Sequence, residues 1–576
     1  MESDHDVWLG AELGLNSYPY ASRDWSALRW AFPTIGVPAL VIAALLMATR
    51  AKDTWILQGI LPAFIIFSIL LGLSLLAGPP RLGVLYAAMA LGLLAILPSV
   101  KYGFVYGEFD SLGHYSTASE IFRTGSLAQS TMYAAQYAGT PVLHILLAMT
   151  ALTGGIPIET TIVYVLFLEH FVILVLIVES IRRMFPQMET RTIVLLAAVT
   201  LPVTFLITGT TFGLLEVAML TYVFSRGIGR KPETGAMLLA VVLMFSLVFS
   251  HFVTTVYFMT FLGGYAISLM AIRLFAGSRG VTRNLLIQSV PLFLTFFVFW
   301  LVYVGEEFIY AARDLAFRLF LGSSLPSAAW RFPLTDLIQL VVFMYARPLF
   351  SVLLAVTASL IALLRYRRTE TFAMFWWLLV SSLLIGGVVA LGLTAATVWR
   401  FLAYASLTTP YFLCFLISRS RNRLFVSNTP RMRVIKVVML ATLVLSMIAV
   451  YPVTPLYPES GGSPILDDNS VNSIYVVSAL EYFSNVYSST PVTTSSRIYW
   501  QLMSLDPKLI PLRWNTISND LESVTSLAEL EGQLVLFDAG GRSGTATIAM
   551  RAMTGNLRDR LDIVYSNSFF FIGLGT

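Results

Sequence analysis

The stretch YGFVYGEFDSLGHYSTASEIFRTG places Glu108, Asp110, His114 and Glu120 directly after an apolar run that ends near Val100. Carboxylates at such a point can take a proton from an acceptor or hold a divalent cation through oxygen ligands. His114 lies four residues beyond Asp110 and shares its face if the segment is helical. The plain alternative is a set of solvated loop charges. Glu216, in GTTFGLLEVAML, stands near the outer end of an apolar run. Burying it is costly, so it is either functional or hydrogen-bonded to a neighbouring helix. His251, in LVFSHFVTT, falls at a turn between two apolar runs, where a lone histidine is most simply a hydrogen-bonded structural residue. Glu169 and His170 lie near the middle of a run, where ionisable groups are expensive unless paired or facing a wet cavity. They favour a transporter with a midplane site, although adjacent residues point about 100° apart on a helix. Arg400, in TAATVWRFLAYASL, and Arg347, in FMYARPLF, sit at the mouths of runs, where arginine also serves as a snorkelling anchor. A P-loop, a dinucleotide-binding glycine fingerprint, an HExxH motif and a nucleophile elbow are all absent, and glycine-rich pieces such as FDAGGRSG read as turns.

The elements that must position these groups are set by the bilayer. Of 576 residues, 57% are apolar and 12% charged, whereas a soluble globule carries roughly a quarter charged residues. Many Trp and Tyr flank the apolar runs, as expected of rings that settle at headgroup level. The net charge of +5 is spread over the connecting loops. It therefore reads as a determinant of topology and excludes nucleic acid as a partner. A single cysteine, Cys414, lies inside an apolar run, which excludes an internal disulfide and a cysteine-based metal site. The polar first 33 residues lack the pattern of a cleaved signal peptide, so insertion through the first span is expected.

A polytopic α-helical membrane protein of about 13 transmembrane helices is expected, with a small extracytoplasmic α/β domain at the C-terminus. The spans are read at 34–49, 55–77, 83–99, 159–180, 191–207, 212–225, 235–250, 252–272, 286–304, 347–364, 372–393, 400–418 and 434–452. Stretches 141–154 and 334–346 are too short or broken to cross and are placed in the interface. Basic residues gather in five short loops, marked by Arg182 and Arg183, Arg226 and Arg230, Arg273 and Arg279, Arg367 and Arg368, and Arg421 and Arg423. All five face the cytoplasm if 141–154 does not span. Arg50 and Lys52 then lie outside, against the rule. The resulting division is a cytoplasmic segment 1–33, three spans in 34–99, an extracytoplasmic loop 100–158 with a juxtamembrane helix, a transmembrane core 159–452 and a soluble domain 453–576. In that domain 473–486 reads as a helix, and SRIYWQLM, QLVLFDA and RLDIVYSNSFFFIG read as strands. This places the chain in the plasma membrane with its N-terminus inside.

The order of these parts resembles the GT-C superfamily of membrane glycosyltransferases. The resemblance runs through an apolar span, an outside loop opening on Glu-Phe-Asp, the segment TPVLHILLAMTALTGGIP, a span closing in SIRRMFP and two short spans. It covers 83–576 and leaves the first two spans as an addition. It implies transfer of a sugar or glycan from a polyprenyl-phosphate-linked donor to a glycan, lipid or protein acceptor on the extracytoplasmic face. Asp110, with Glu108 beside it, matches the loop acid that acts as base or orients the acceptor. Arg400 matches the arginine that grips the phosphate of the lipid-linked donor, and Arg347 is the second candidate for that role; a planar guanidinium suits phosphate oxygens. Glu216 matches in position an acidic residue that helps hold a divalent metal in the oligosaccharyltransferase branch, and with His114 or His251 it would bind Mg or Mn. This sequence offers one Glu there in place of an Asp-x-Glu pair. Glu306 and Glu307 match another ligand by position only. The rival classes are a transporter or flippase for lipid-linked or small polar substrates, and a non-catalytic assembly subunit.

Overall fold

The structure, a computed structural model, describes residues 80–102, 109–126, 139–203, 208–227, 233–276, 285–304, 346–366, 370–392, 395–419, 492–494, 534–538, 561–566 and 570–575. The helices are α1 (Pro80–Tyr102), α2 (Phe109–Thr124), α3 (Val142–Gly154), α4 (Ile158–Met184), α5 (Thr190–Thr200), α6 (Gly209–Gly227), α7 (Thr234–Ser250), α8 (Phe252–Ala276), α9 (Leu285–Tyr303), α10 (Ala346–Tyr366), α11 (Glu370–Gly392), α12 (Ala395–Ser406) and α13 (Thr409–Arg419). The spans expected at 34–49, 55–77 and 434–452, the interface helix at 334–346, the helix at 473–486 and the strand SRIYWQLM lie outside the described residues.

Helices α1, α4 and α6 pack side by side, and α11 packs against α8 and α12. Their interior is aromatic: Trp300, Tyr257, Tyr265, Phe258, Phe261 and Phe293 are fully buried. The outward faces carry Leu168, Leu238, Val242, Phe245, Ile267, Met270 and Val302 in the open, whereas Glu169, His170 and Glu216 point inward. Apolar outside and polar inside is the arrangement that a hydrocarbon solvent demands. Among the described residues, 158–184, 252–272 and 401–418 are long and apolar enough to cross a membrane. The chain is a multi-pass membrane protein.

Two expected spans are built differently. The span read at 191–207 is helical only to Thr200, about 16 Å at the helical rise. Leu201 then turns extended, with ψ 142°, because Pro202 crowds the helical conformation of the residue before it. Ser351 Oγ donates to the carbonyl of Thr200 at 2.7 Å, so the backbone stays satisfied where the helix stops. The span read at 400–418 is the pair α12 and α13, separated by a turn at 407–408. The short helix α3 matches the non-spanning helix read at 141–154. It ends in a left-handed Gly155 (φ 62°), buries Leu143 and Leu147, and exposes Ile145, Met149 and Leu152.

The basic ends of two helices meet in the packing. Arg183 near the end of α4 lies over the ring of Tyr222 near the end of α6, 5.6 Å from its centroid. Thus α4 and α6 run parallel and bring Arg182, Arg183 and Arg226 to one end of the bundle. At the C-terminus a four-stranded sheet has the order β1-β2-β4-β3, from β1 (Val492–Thr494), β2 (Leu534–Asp538), β3 (Leu561–Ser566) and β4 (Phe570–Gly575). Strand β4 pairs antiparallel with β2 and β3, and β1 pairs parallel with β2. Strands β2 and β3 fall inside the expected runs, β4 begins in one and continues past it to Gly575, and β1 was not read from the sequence.

Candidate active site

At the end of the bundle opposite the arginines, several elements converge on the first turn of α6. Thr208 caps that helix: its Oγ1 accepts from the backbone N–H of Thr211 at 3.3 Å, the ordinary work of a hydroxyl at an N-cap. The N–H of Gly209, left without an intrahelical partner by its place in the first turn, donates to His114 Nε2 on α2 at 3.2 Å. That nitrogen must therefore carry its lone pair. The ring's proton sits on Nδ1 and points to His144 Nε2 on α3 at 2.8 Å. The two imidazoles also stack, with centroids 5.0 Å apart. One histidine thus fastens the loop helix α2 to both α3 and α6.

The other side of the same turn is held by α8 and α12. The corner between α7 and α8 is the extended residue His251, whose Nδ1 accepts the N–H of Thr254 at 3.3 Å and contacts its Oγ1 at 2.7 Å. Thr254 Oγ1 in turn bonds Tyr404 Oη on α12, and that hydroxyl donates to the carbonyl of Thr210 at 3.3 Å. Tyr404 also stacks on Tyr257, with centroids 4.7 Å apart. The His251 ring lies so close to Gly209 that a Cβ there would stand 2.6 Å from its Cδ2. Helix α2 is further tied down by Tyr115 Oη, which donates to Glu159 Oε1 in the first turn of α4 at 2.7 Å. Burial, with the Glu159 carboxylate beside it, pushes the Tyr115 hydroxyl above the usual tyrosine range. Burial also raises the Glu120 carboxyl on the same helix, with Arg123 opposing the shift.

The residues singled out from the sequence fall unevenly around this knot. Asp110 is the second residue of α2 and stands one turn before His114. Arg400 lies in α12, one turn before Tyr404. Arg347 is the second residue of α10; one turn on, Ser351 Oγ bonds Thr409 Oγ1 beside the break between α12 and α13 at 2.8 Å. His114 and His251 both meet Gly209. Glu216 sits about 10 Å further along α6 by the helical rise, only 1% exposed, and its Oε1 accepts Ser246 at 2.5 Å and Ser250 at 2.9 Å from α7. The arrangement is the helix-to-helix bond that was the alternative to a metal role. Among the described residues no three His, Cys, Asp or Glu side chains are grouped to hold a metal ion. Both nitrogens of His114 are engaged, so the set Glu216, His114 and His251 does not fit a Mg or Mn centre as it stands. Glu108, Glu306 and Glu307 lie outside the described residues. Glu169 is 1% exposed, and among the described residues neither of its carboxyl oxygens has a hydrogen-bond partner. Its neighbour His170 bonds the carbonyl of Leu166 through Nδ1 at 3.0 Å.

His144, Thr254 and Tyr404 were not singled out from the sequence. His144 carries one signal, an imidazole on an otherwise apolar short helix. Tyr404 carries another, a tyrosine one turn from an arginine already of interest. Neither tells which distant element it meets.

No protein-family profile matches the sequence, and no curated protein sequence matches it either. Solved structures do. ArnT from Cupriavidus metallidurans, bound to undecaprenyl phosphate, superposes with a TM-score of 0.51 at 9% identity, over 86% of this chain and 98% of that one. The Archaeoglobus fulgidus oligosaccharyltransferase in its apo form gives a TM-score of 0.46 at 12% identity, over 80% and 69%. Its complex with an inhibitory peptide and a dolichol-phosphate gives 0.45 at 12%, over 80% and 69%. The class is thus that of the multi-pass helical membrane proteins. Within it, the chain has the GT-C fold that it shares with ArnT.

Proposed function

We propose that this protein transfers a sugar or short glycan from a polyprenyl-phosphate-linked donor to an acceptor hydroxyl or amide on the extracytoplasmic face. The observation that carries the reading is the seating of the Asp110 helix and the Arg400 helix on one backbone turn, Gly209–Thr210, at the end of the bundle away from the basic loops. In this reading an acid and a cation stand together at the membrane surface, where a lipid-linked donor presents its phosphate. Asp110 takes the acceptor's proton as the acceptor oxygen or nitrogen bonds to the anomeric carbon. The bond from that carbon to the phosphate oxygen breaks, and the lipid phosphate leaves with its charge offset by Arg400 and Arg347. A single displacement inverts the anomeric configuration. No step is routed through a metal, because the described residues do not assemble one. The sheet at the C-terminus belongs to a domain that recognises the acceptor or covers the site.

Transfer of radiolabelled sugar from extracted polyprenyl-phosphate donors in proteoliposomes tests this. Asp110→Asn at matched expression is expected to lower transfer by roughly 10²- to 10⁴-fold, the usual contribution of a general base; activity equal to wild type refutes the assignment. A transporter is the second reading, favoured by the Glu169 carboxyl, which has no hydrogen-bond partner among the described residues. Substrate uptake that is lost in Glu169→Gln, with no transfer from any donor, would decide for it.

A further inference from the structure

We infer that His114 and Tyr404 are positioning residues, which hold the acceptor-side and donor-side helices in register by hydrogen-bonding to backbone groups of two adjacent residues in one helix turn. The inference rests on the glycosyl-transfer reading for the roles of Asp110 and Arg400, whereas the latch itself rests on geometry alone. On the acceptor side, His114 accepts the N–H of Gly209 across 95 positions of sequence and donates its own Nδ1–H to His144 Nε2. On the donor side, Tyr404 reaches the carbonyl of Thr210 across 194 positions and bonds Thr254, which is fixed to His251. Gly209 and Thr210 are neighbours in a helix capped by Thr208, so their peptide groups cannot move independently. Asp110 and Arg400 each stand one turn upstream of a latch residue, and a shift of either helix carries its reacting group with it. Misplacement of about 1 Å is enough to cost of order 10²-fold in a positioned reaction.

The two latches differ in what they should disturb. Loss of the His114 bond displaces the group that takes the proton and lowers kcat, leaving the KM for the donor unchanged. Loss of the Tyr404 hydroxyl displaces the helix of the phosphate-binding arginine and raises the donor KM with a smaller change in kcat. A purely structural role lowers the amount of folded protein and produces no such split.

The test uses the full chain in proteoliposomes with a polyprenyl-phosphate sugar donor, and measures kcat and donor KM for His114→Ala, His114→Asn, His114→Gln and Tyr404→Phe. Gln sets an acceptor where Nε2 stood, whereas Asn replaces only the Nδ1 side. His114→Ala and His114→Asn are expected to lose roughly three- to tenfold in kcat, the worth of one hydrogen bond, and His114→Gln to recover most of it. Tyr404→Phe keeps the stack on Tyr257 and is expected to raise donor KM by a similar factor. Hydrogen–deuterium exchange at the first turn of α6 is followed in parallel, with faster exchange in His114→Ala and near-native exchange in His114→Gln. Exchange that responds in this way, without transfer from any donor, upholds the latch and refutes the glycosyltransferase reading. Exchange identical in wild type, Ala and Gln variants overturns the latch. So does transfer in which His114→Ala and Tyr404→Phe change the same parameter.

Discussion

Replacing Gly209 by alanine probes the crowded point of the site with one methyl group. A Cβ there meets His251 Cδ2 at 2.6 Å, Cγ at 3.1 Å and Cβ at 3.3 Å, whereas carbon atoms pack best at about 3.5–4.0 Å. The ring cannot swing aside cheaply, because its Nδ1 is held by both the backbone and the hydroxyl of Thr254. Moving α6 instead stretches the 3.2 Å bond from Gly209 to His114. Overpacking of this kind costs about 1–3 kcal/mol, and alanine's better helix propensity returns at most about 1 kcal/mol. A net loss of about 1–2 kcal/mol is expected, read as a lower Tm in thermal unfolding followed by tryptophan fluorescence in one fixed detergent. Transfer should fall with it. The decisive control is the double variant Gly209→Ala with His251→Ala, which removes the ring that the methyl strikes. The pair should be less damaging than the sum of the single changes by about 1–3 kcal/mol. If Gly209→Ala leaves Tm unchanged, or if the two changes add within about 0.5 kcal/mol, the packing around Gly209 is not as described.

Two further outcomes follow from buried carboxyls. Glu216→Gln keeps an oxygen to accept Ser246 and Ser250, so Tm and transfer should stay near wild type, whereas Glu216→Ala strands the Ser246 hydroxyl, leaves Ser250 only its bond to the Ser246 carbonyl, and should cost about 1–3 kcal/mol of stability; a Gln variant whose activity collapses with its metal response would restore the metal role. Burial raises the Glu120 carboxyl in the folded protein, so its contribution to stability is fully present below the unfolded carboxylate range and is lost as pH rises through the folded value. Glu120→Gln should therefore flatten the decline in Tm from acid to neutral pH, and an unchanged slope would contradict the assignment.

The sequence alone determined that the chain lives in a bilayer, because 57% apolar residues in runs of span length leave no other solvent. It determined most helix positions, and the clustering of Arg182, Arg183 and Arg226 anticipated the end of the bundle at which they meet. It also brought Asp110, Arg400, Arg347 and His251 to attention, since charged or titratable groups stand out against an apolar background. Apolar periodicity says little about where a helix stops inside a run, so the extended turn at Leu201 and the break at 407–408 were not read, although Pro202 and Pro410 lay in plain view. Only the tertiary structure decided what the polar groups touch. Glu216 looks the same in sequence whether it binds a metal or two serines, and its partners come from a different helix. His144 and Tyr404 gain meaning only through Gly209 and Thr210, whose peptide groups are common to every helix. A hydrogen bond across 95 or 194 positions leaves no periodic trace in the chain, because it is fixed by how whole helices pack and not by the spacing of residues along one of them.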